Sequence, residues 1–356
     1  MDDLRAQFPV FERLEYLNAG TTGPVPKRGY EAALESLRLQ LEQGRSGHDY
    51  FEAVIERIDL LRARVAALMG TGVADVALTG STTDGINAAL AALELGPGDE
   101  VLTSDEEHPG VLAPLGLLRR HRGVTVRVVP FAELGTAVGP QTTVVACSHV
   151  SWMTGAVVDA GALAASPARV VLDGAQGLGA VPVDVHALGC DFYAASGQKW
   201  LCGPNGLGYL YARAELVGDL PAPWPGYGSL ADSTKGLEFE LHPDARRLTV
   251  GFPPPHHVDW ALAALDVLEG HGLAQAQERA ADLAEGLAER LGARVRPRGR
   301  STLVTWEVDD PEAEVARLAE EGFAIRDLPG TGTVRASVGA WSSEAALARL
   351  AELTSS

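Results

Sequence analysis

The stretch VVLDGAQGLGAVPVDVHALGCDFYAASGQKWLCGPNGLGYLY, Val170 to Tyr211, decides how the chain is read. It lies across three short apolar runs, Arg169–Leu172, Phe192–Ala195 and Leu207–Tyr211. These runs are continuous rather than alternating, which is the pattern of strands covered on both faces. The first is followed by Asp173 and Gln176, the second by Ser196, Gln198 and Lys199. Ligands in open α/β sheets bind outside the carboxyl ends of the strands, so these side chains are placed for chemistry. A lysine at a sheltered strand end, flanked by Trp200 and Leu201, is desolvated. Its pKa falls, and its neutral amine becomes available for Schiff-base formation. Taken alone, an ordinary Asp173–Lys199 ion pair is the simpler account of these two residues.

Working outward, four more strands are expected at Val76–Leu78, Glu100–Thr103, Val124–Val129 and Thr143–Cys147. Helical patterns lie between them, at Gly85–Leu95 and after Pro109, and upstream at Arg28–Gln43 and Tyr50–Met69. This alternation predicts a largely parallel, doubly wound sheet. From Pro221 to Pro255 the chain is rich in Pro and Gly and reads as a loop and domain boundary. Its Tyr227, Arg246 and Arg247 make it a candidate lid over an active site. Beyond it, helices Val258–Leu268 and Leu273–Leu291, a strand Thr302–Val308, a helix Pro311–Glu321, a strand Val334–Val338 and a helix from Ser343 form a smaller α+β unit.

Composition excludes several classes of function. The 356 residues carry a net charge of −18, which repels phosphate backbones and anionic membranes. No nucleic-acid or membrane partner is expected. Three cysteines, Cys147, Cys190 and Cys202, without a C-x-x-C, give neither a disulfide framework nor a zinc cage, and no metal is expected. The acidic N-terminal segment lacks the apolar core of a signal peptide, and no apolar run approaches a membrane span. A soluble, cytoplasmic protein is the expectation.

Two further strand ends carry candidate residues. In LTGSTTDGIN, Leu78 to Asn87, Thr82 and Thr83 stand at a helix N-terminus, a ready anion site, although a plain N-cap is the more economical reading of that segment alone. In SDEEHPGVLAPL, Ser104 to Leu115, His108 precedes Pro109 and offers a flat ring for stacking. An anion nest, a stacking ring, a carboxylate and an amine together match what pyridoxal phosphate requires: a phosphate cup, a Schiff-base lysine and a partner for the pyridinium nitrogen.

The order D-x-x-Q at Asp173–Gln176, D-F-Y-x-x-S-G-Q-K-W at Asp191–Trp200 and G-P-x-G-x-G at Gly203–Gly208 resembles the class V aminotransferase family, in its cysteine-desulfurase-like branch. The resemblance runs from YLNAGTTGPVP at Tyr16 to VRASVGAWSSEAAL at the C-terminus. It implies the fold-type I architecture of pyridoxal-phosphate enzymes, with a mostly parallel seven-stranded sheet. Residues 17–250 would form the large cofactor-binding domain, and residues 1–16 with 251–356 the small one. It also implies a homodimer and an amino-acid substrate. Lys199 matches the Schiff-base lysine that moves the Cα proton, Asp173 the carboxylate paired with the pyridinium nitrogen, and Gln176 the donor to the phenolic oxygen. His108 matches the stacked ring, and Thr82, Thr83, Ser196 and Gln198 match phosphate contacts. Arg335 matches the arginine that takes the substrate's α-carboxylate, a task suited to a planar guanidinium.

The departures from the family pattern shape the expected reaction. Where desulfurases carry a nucleophilic cysteine, the stretch FAIRDLPGTGTVRASV, Phe323 to Val338, has none. Cys202 reads as a small buried apolar residue on a packed turn. Trp152 replaces an Asn common near the cofactor and reshapes the substrate pocket. Phe252 replaces a threonine that reaches the neighbouring subunit's phosphate. The expectation is a pyridoxal-phosphate enzyme working through a Schiff base at Lys199 and a Cα carbanion. A C–S lyase acting by β-elimination is favoured; the alternatives are a class V aminotransferase or an amino-acid epimerase.

Overall fold

The computed structural model describes residues 2–354. Its centre is a seven-stranded sheet: β1 (Val76–Thr79), β2 (Glu100–Ser104), β3 (Thr125–Val129), β4 (Thr142–Ser148), β5 (Arg169–Asp173), β6 (Phe192–Ser196) and β7 (Gly208–Ala212). The spatial order is β1-β7-β6-β5-β4-β2-β3. Only β7 runs against the others, antiparallel to both β1 and β6. All seven strands lie within a residue or so of their expected positions. The continuous apolar runs have the cause assigned to them, since neighbouring residues of one strand enter opposite cores. On β4, Val145 and Cys147 join one core while Val144 and Ala146 join the other.

Helices cover both faces. Among them are α2 (His48–Leu68), α3 (Thr82–Ala92) and α4 (Pro109–Arg122), while α1 (Lys27–Gln43) packs on the later helix Pro255–Gly270. Helix α3 starts where Ser81 caps it by accepting the Asp84 N–H, and α4 starts at Pro109 with His108 as its cap. After the Pro/Gly-rich segment come α5 (Pro255–Gly270) and α6 (Leu273–Leu291). Val258, Ala261 and Leu265 of α5 share the core of the large sheet. A third core forms around α6, a smaller antiparallel sheet and the last helix. That sheet comprises β8 (Leu303–Glu307), β9 (Arg326–Leu328) and β10 (Thr333–Ser337), in the order β8-β10-β9.

The N-terminal segment ties the two parts together. Glu15 and Tyr16 pair in parallel with Phe323 and Ala324, and the Ser337 N–H donates to the Leu17 carbonyl. The chain then passes over the carboxyl edge of the large sheet as a strap, Asn18–Gly23. The Gly23 N–H donates to the Gln198 carbonyl at 2.6 Å, one residue from Lys199. No helix among the described residues is long and apolar enough to cross a membrane.

Candidate active site

Strands β1, β2, β4, β5 and β6 end at the same edge of the sheet, and the polar residues that stop them meet there. The register sets Asp173 between Ser148 and Ala194, so the carboxylate emerges at the middle of that edge. Thr82, Thr83, His108, Trp152, Asp173, Gln176, Ser196, Gln198, Lys199 and Arg335 all line one cavity of ≈180 Å³. Every site residue expected from the sequence is thus gathered in one place. The loop after Pro221 is not part of the cavity wall. Arg246 pairs with Asp244 at 2.7 Å, and Arg247 donates to the carbonyls of Val217 and Gly218.

Each side chain is held in a defined orientation. The indole N–H of Trp200 donates to Gln176 Oε1 at 2.9 Å, which leaves no doubt about the amide's sense, because that indole cannot accept. Gln176 Nε2 then donates one hydrogen to the Gly20 carbonyl at 2.7 Å and retains a second. Asp173 is buried, and one of its carboxylate oxygens accepts from the Ala175 N–H at 2.9 Å. The Nδ1 of His108 accepts from the Gly110 N–H at 3.0 Å, so in the neutral ring the proton sits on Nε2. Burial, reinforced by the nearby Lys199 charge, lowers the His108 pKa and favours that neutral form. The indole of Trp152 meets the His108 ring edge-on, with centroids 5.3 Å apart. Lys199 is half-buried, and desolvation pushes its amine down to about 8, with Asp173 opposing the shift and Arg335 and Arg326 assisting it.

The opposite wall is cationic. Arg335 is fully buried on β10; it donates from Nη1 to the Trp152 carbonyl at 2.7 Å, and its Nε has no partner. Sequence reading missed Arg326, which is the direct cross-strand neighbour of Arg335 on β9 and also lines the cavity. The hairpin turn Pro329–Gly332 carried the signal, since Pro-Gly and Gly punctuation between two short runs sets Arg326 opposite Arg335. It also missed the strap residues Gly20 and Thr21, and Glu107 behind His108. Both Glu107 carboxylate oxygens accept hydroxyls, from Ser104 and from Ser148, each at 2.6 Å. Burial raises this carboxyl to about 7 despite those two bonds.

These residues fit pyridoxal phosphate on observations independent of motif. The hydroxyls of Thr82 and Ser196 are buried without a partner, and they sit beside the α3 N-terminus, where unpaired N–H groups favour an anion. The charged residues lining the cavity are Lys199, Arg326 and Arg335 against the single carboxylate Asp173, in a chain of net charge −18. Such a cavity draws phosphate and carboxylates selectively. An amine of lowered pKa and a buried carboxylate share its floor.

Fold and cavity together define an enzyme that depends on pyridoxal phosphate. The chain belongs to the aminotransferase class-V family, whose model matches residues 15–345. It is 32% identical over 304 residues to a cysteine desulfurase of Klebsiella pneumoniae, covering 78% of this chain and 74% of the relative. It is 31% identical over 368 residues to the cysteine desulfurase CsdA of Escherichia coli, covering 94% and 91%. Among solved structures it is similar to the cystine C–S lyase C-DES in complex with its product cysteine persulfide, with a TM-score of 0.91, 26% identity and 98% of each chain covered. It is also similar to the crystal structure of CsdA, with a TM-score of 0.86 and 27% identity.

Proposed function

We propose that this enzyme cleaves a C–S bond at Cβ of an amino acid by β-elimination, releasing a keto acid, ammonia and a sulfur product. The observation that carries the reading is the make-up of the cavity wall, which holds a base, a carboxylate and two arginines but no thiol among its described residues. All three cysteines are buried in the core, and burial raises each thiol, Cys190 to about 12. None is available as a thiolate to attack a sulfur atom. When bound, pyridoxal phosphate supplies an aldehyde for the substrate amine and a ring that accepts the electron pair left at Cα. Asp173 would keep the ring nitrogen protonated, Gln176 has a second N–H to give the phenolic oxygen, and His108 would cover the ring. Thr82, Thr83, Ser196 and Gln198 hold the phosphate with the α3 N-terminus. Arg335 takes the α-carboxylate, with Trp152 fixing it through its carbonyl and narrowing the pocket. The Lys199 amine removes the Cα proton, and sulfur leaves Cβ with the pair of the broken C–S bond. The released aminoacrylate hydrolyses to pyruvate and ammonia. Arg326, beside Arg335, suits a substrate with a second carboxylate, as in a disulfide of cysteine.

We further propose that the enzyme is a cytoplasmic homodimer. Tyr30, Leu34, Leu37 and Leu41 form an exposed row at helical spacing on α1, and Phe51, Tyr227 and Phe252 are exposed as well. A second copy is the occupant proposed for this surface. We place the cofactor in the large domain, residues 17–250 together with α5, whose Val258, Ala261 and Leu265 lie in the core of the large sheet, and the rest of the C-terminal part closes it. The test of the chemistry is a variant in which Cys147, Cys190 and Cys202 are all replaced by Ala. With L-cystine it should release pyruvate and ammonia at near the native rate. Loss of turnover in a folded, cofactor-loaded variant would return the reaction to a thiol-dependent route.

A further inference from the structure

The Thr21 hydroxyl sits at a junction that no motif announces. It donates to Asn18 Oδ1 at 2.7 Å, an atom that can only accept. Its single proton is therefore committed, and only its lone pairs face the cavity. Those lone pairs receive Arg326 Nη1 at 3.1 Å and Arg335 Nη2 at 3.4 Å. The two arginines are directly opposed on β9 and β10, and no carboxylate pairs with either among the described residues. Like charges so placed repel; each guanidinium also has an acceptor of its own, the Trp152 carbonyl for Arg335 Nη1 and the Asp327 carbonyl for Arg326 Nε at 3.0 Å, and Thr21 is the acceptor the two share. A Cβ on Gly20 would lie 2.9 Å from Arg335 Nη2 and 2.8 Å from Ser337 Oγ, so the backbone lies close against Arg335.

We infer that Thr21 is a positioning residue that sets substrate specificity, an acceptor-only clasp that holds Arg326 and Arg335 converged on the cavity so that a dianionic substrate meets both guanidiniums preformed. The hydroxyl stands in for a carboxylate oxygen without neutralising either charge, so the pair stays available to the ligand. Preorganisation of this kind lowers the ordering cost of binding and leaves the chemical step unchanged. The inference extends the substrate class proposed above, and it is tested without relying on turnover. The probes are suberate, a dicarboxylate with the chain length of cystine and no amine, and octanoate, its monocarboxylate counterpart. Each is titrated calorimetrically into the holoenzyme, into Thr21→Val, which keeps the shape without the acceptor, and into Thr21→Ser, which restores it. The native protein should prefer suberate. Thr21→Val should weaken suberate by roughly tenfold, as for one lost hydrogen bond to a charged group, and octanoate far less. Thr21→Ser should recover most of the loss at an unchanged melting temperature. With L-cystine the valine variant should show a raised KM at nearly constant kcat. Native suberate affinity in Thr21→Val, or an equal loss for both acids, overturns the inference. Failure to form pyruvate from cystine, with suberate behaving as described, overturns the elimination reading instead.

Discussion

At the scale of single residues, the account rests on Lys199. Its ammonium is desolvated in the cavity and stands near Arg335 and Arg326, and Asp173 only partly compensates, which brings the pKa to about 8. The amine is a nucleophile only when neutral, and below that pKa the neutral fraction falls by about tenfold per pH unit. Uptake of pyridoxal phosphate by the apo protein should therefore accelerate from pH 6 to about 8 and level off above it, as followed by visible absorbance. Borohydride should then fix the cofactor on Lys199. A pH-independent uptake rate, or an adduct mapped to another lysine, would contradict this. Asp173→Asn should retain the cofactor but lose at least about a hundredfold in kcat, because a neutral amide cannot keep the ring nitrogen protonated as negative charge develops. Arg335→Ala should raise KM by roughly ten- to a hundredfold, the cost of a hydrogen bond between charged groups, measured with any accepted amino acid.

At the scale of elements, the strap Asn18–Gly23 is the piece on which site geometry depends most and which sequence reveals least. A Cβ on Gly23 would fall 2.0 Å from the Lys199 carbonyl oxygen, so Gly23→Ala must displace either the strap or the lysine turn. It should cost about 1–3 kcal/mol of stability, as overpacking does, and hasten loss of the cofactor. Thermal melting and dialysis check both effects, and native values for both would show that the strap is free to shift. The strands were legible because burial on both faces writes a continuous apolar run at each, as Val144–Cys147 shows. The cavity residues proposed for catalysis were legible because they terminate those runs, Asp173 on β5 and Lys199 just beyond β6. The strap was not legible. AGTTG enters the sequence reading only as part of the family resemblance, and its meaning comes from contacts such as Gln176 with Gly20, 156 residues apart. Arg326 lay in a stretch read for a missing cysteine, although the Pro329–Gly332 turn already placed it opposite Arg335. Glu107 carries no signal of its own in SDEEHPG, and only the fold buries it between two serines.

At the scale of the whole molecule, charge and apolar surface are segregated. The acidic exterior encloses a cationic cavity, and a row of exposed leucines runs along α1. Replacing Leu34 and Leu37 together by Glu should convert the proposed dimer to monomers by light scattering while helical content is kept; an unchanged mass would place the interface elsewhere. The central claim is that sulfur leaves Cβ as a leaving group in a protein with no thiol in reach. The most direct test is the product ratio from L-cystine turned over by the native holoenzyme. Pyruvate and ammonia should appear in equal amounts, together with the persulfide of cysteine and no alanine. Alanine as the main product from L-cysteine, with a persulfide trapped on Cys202, would contradict the claim.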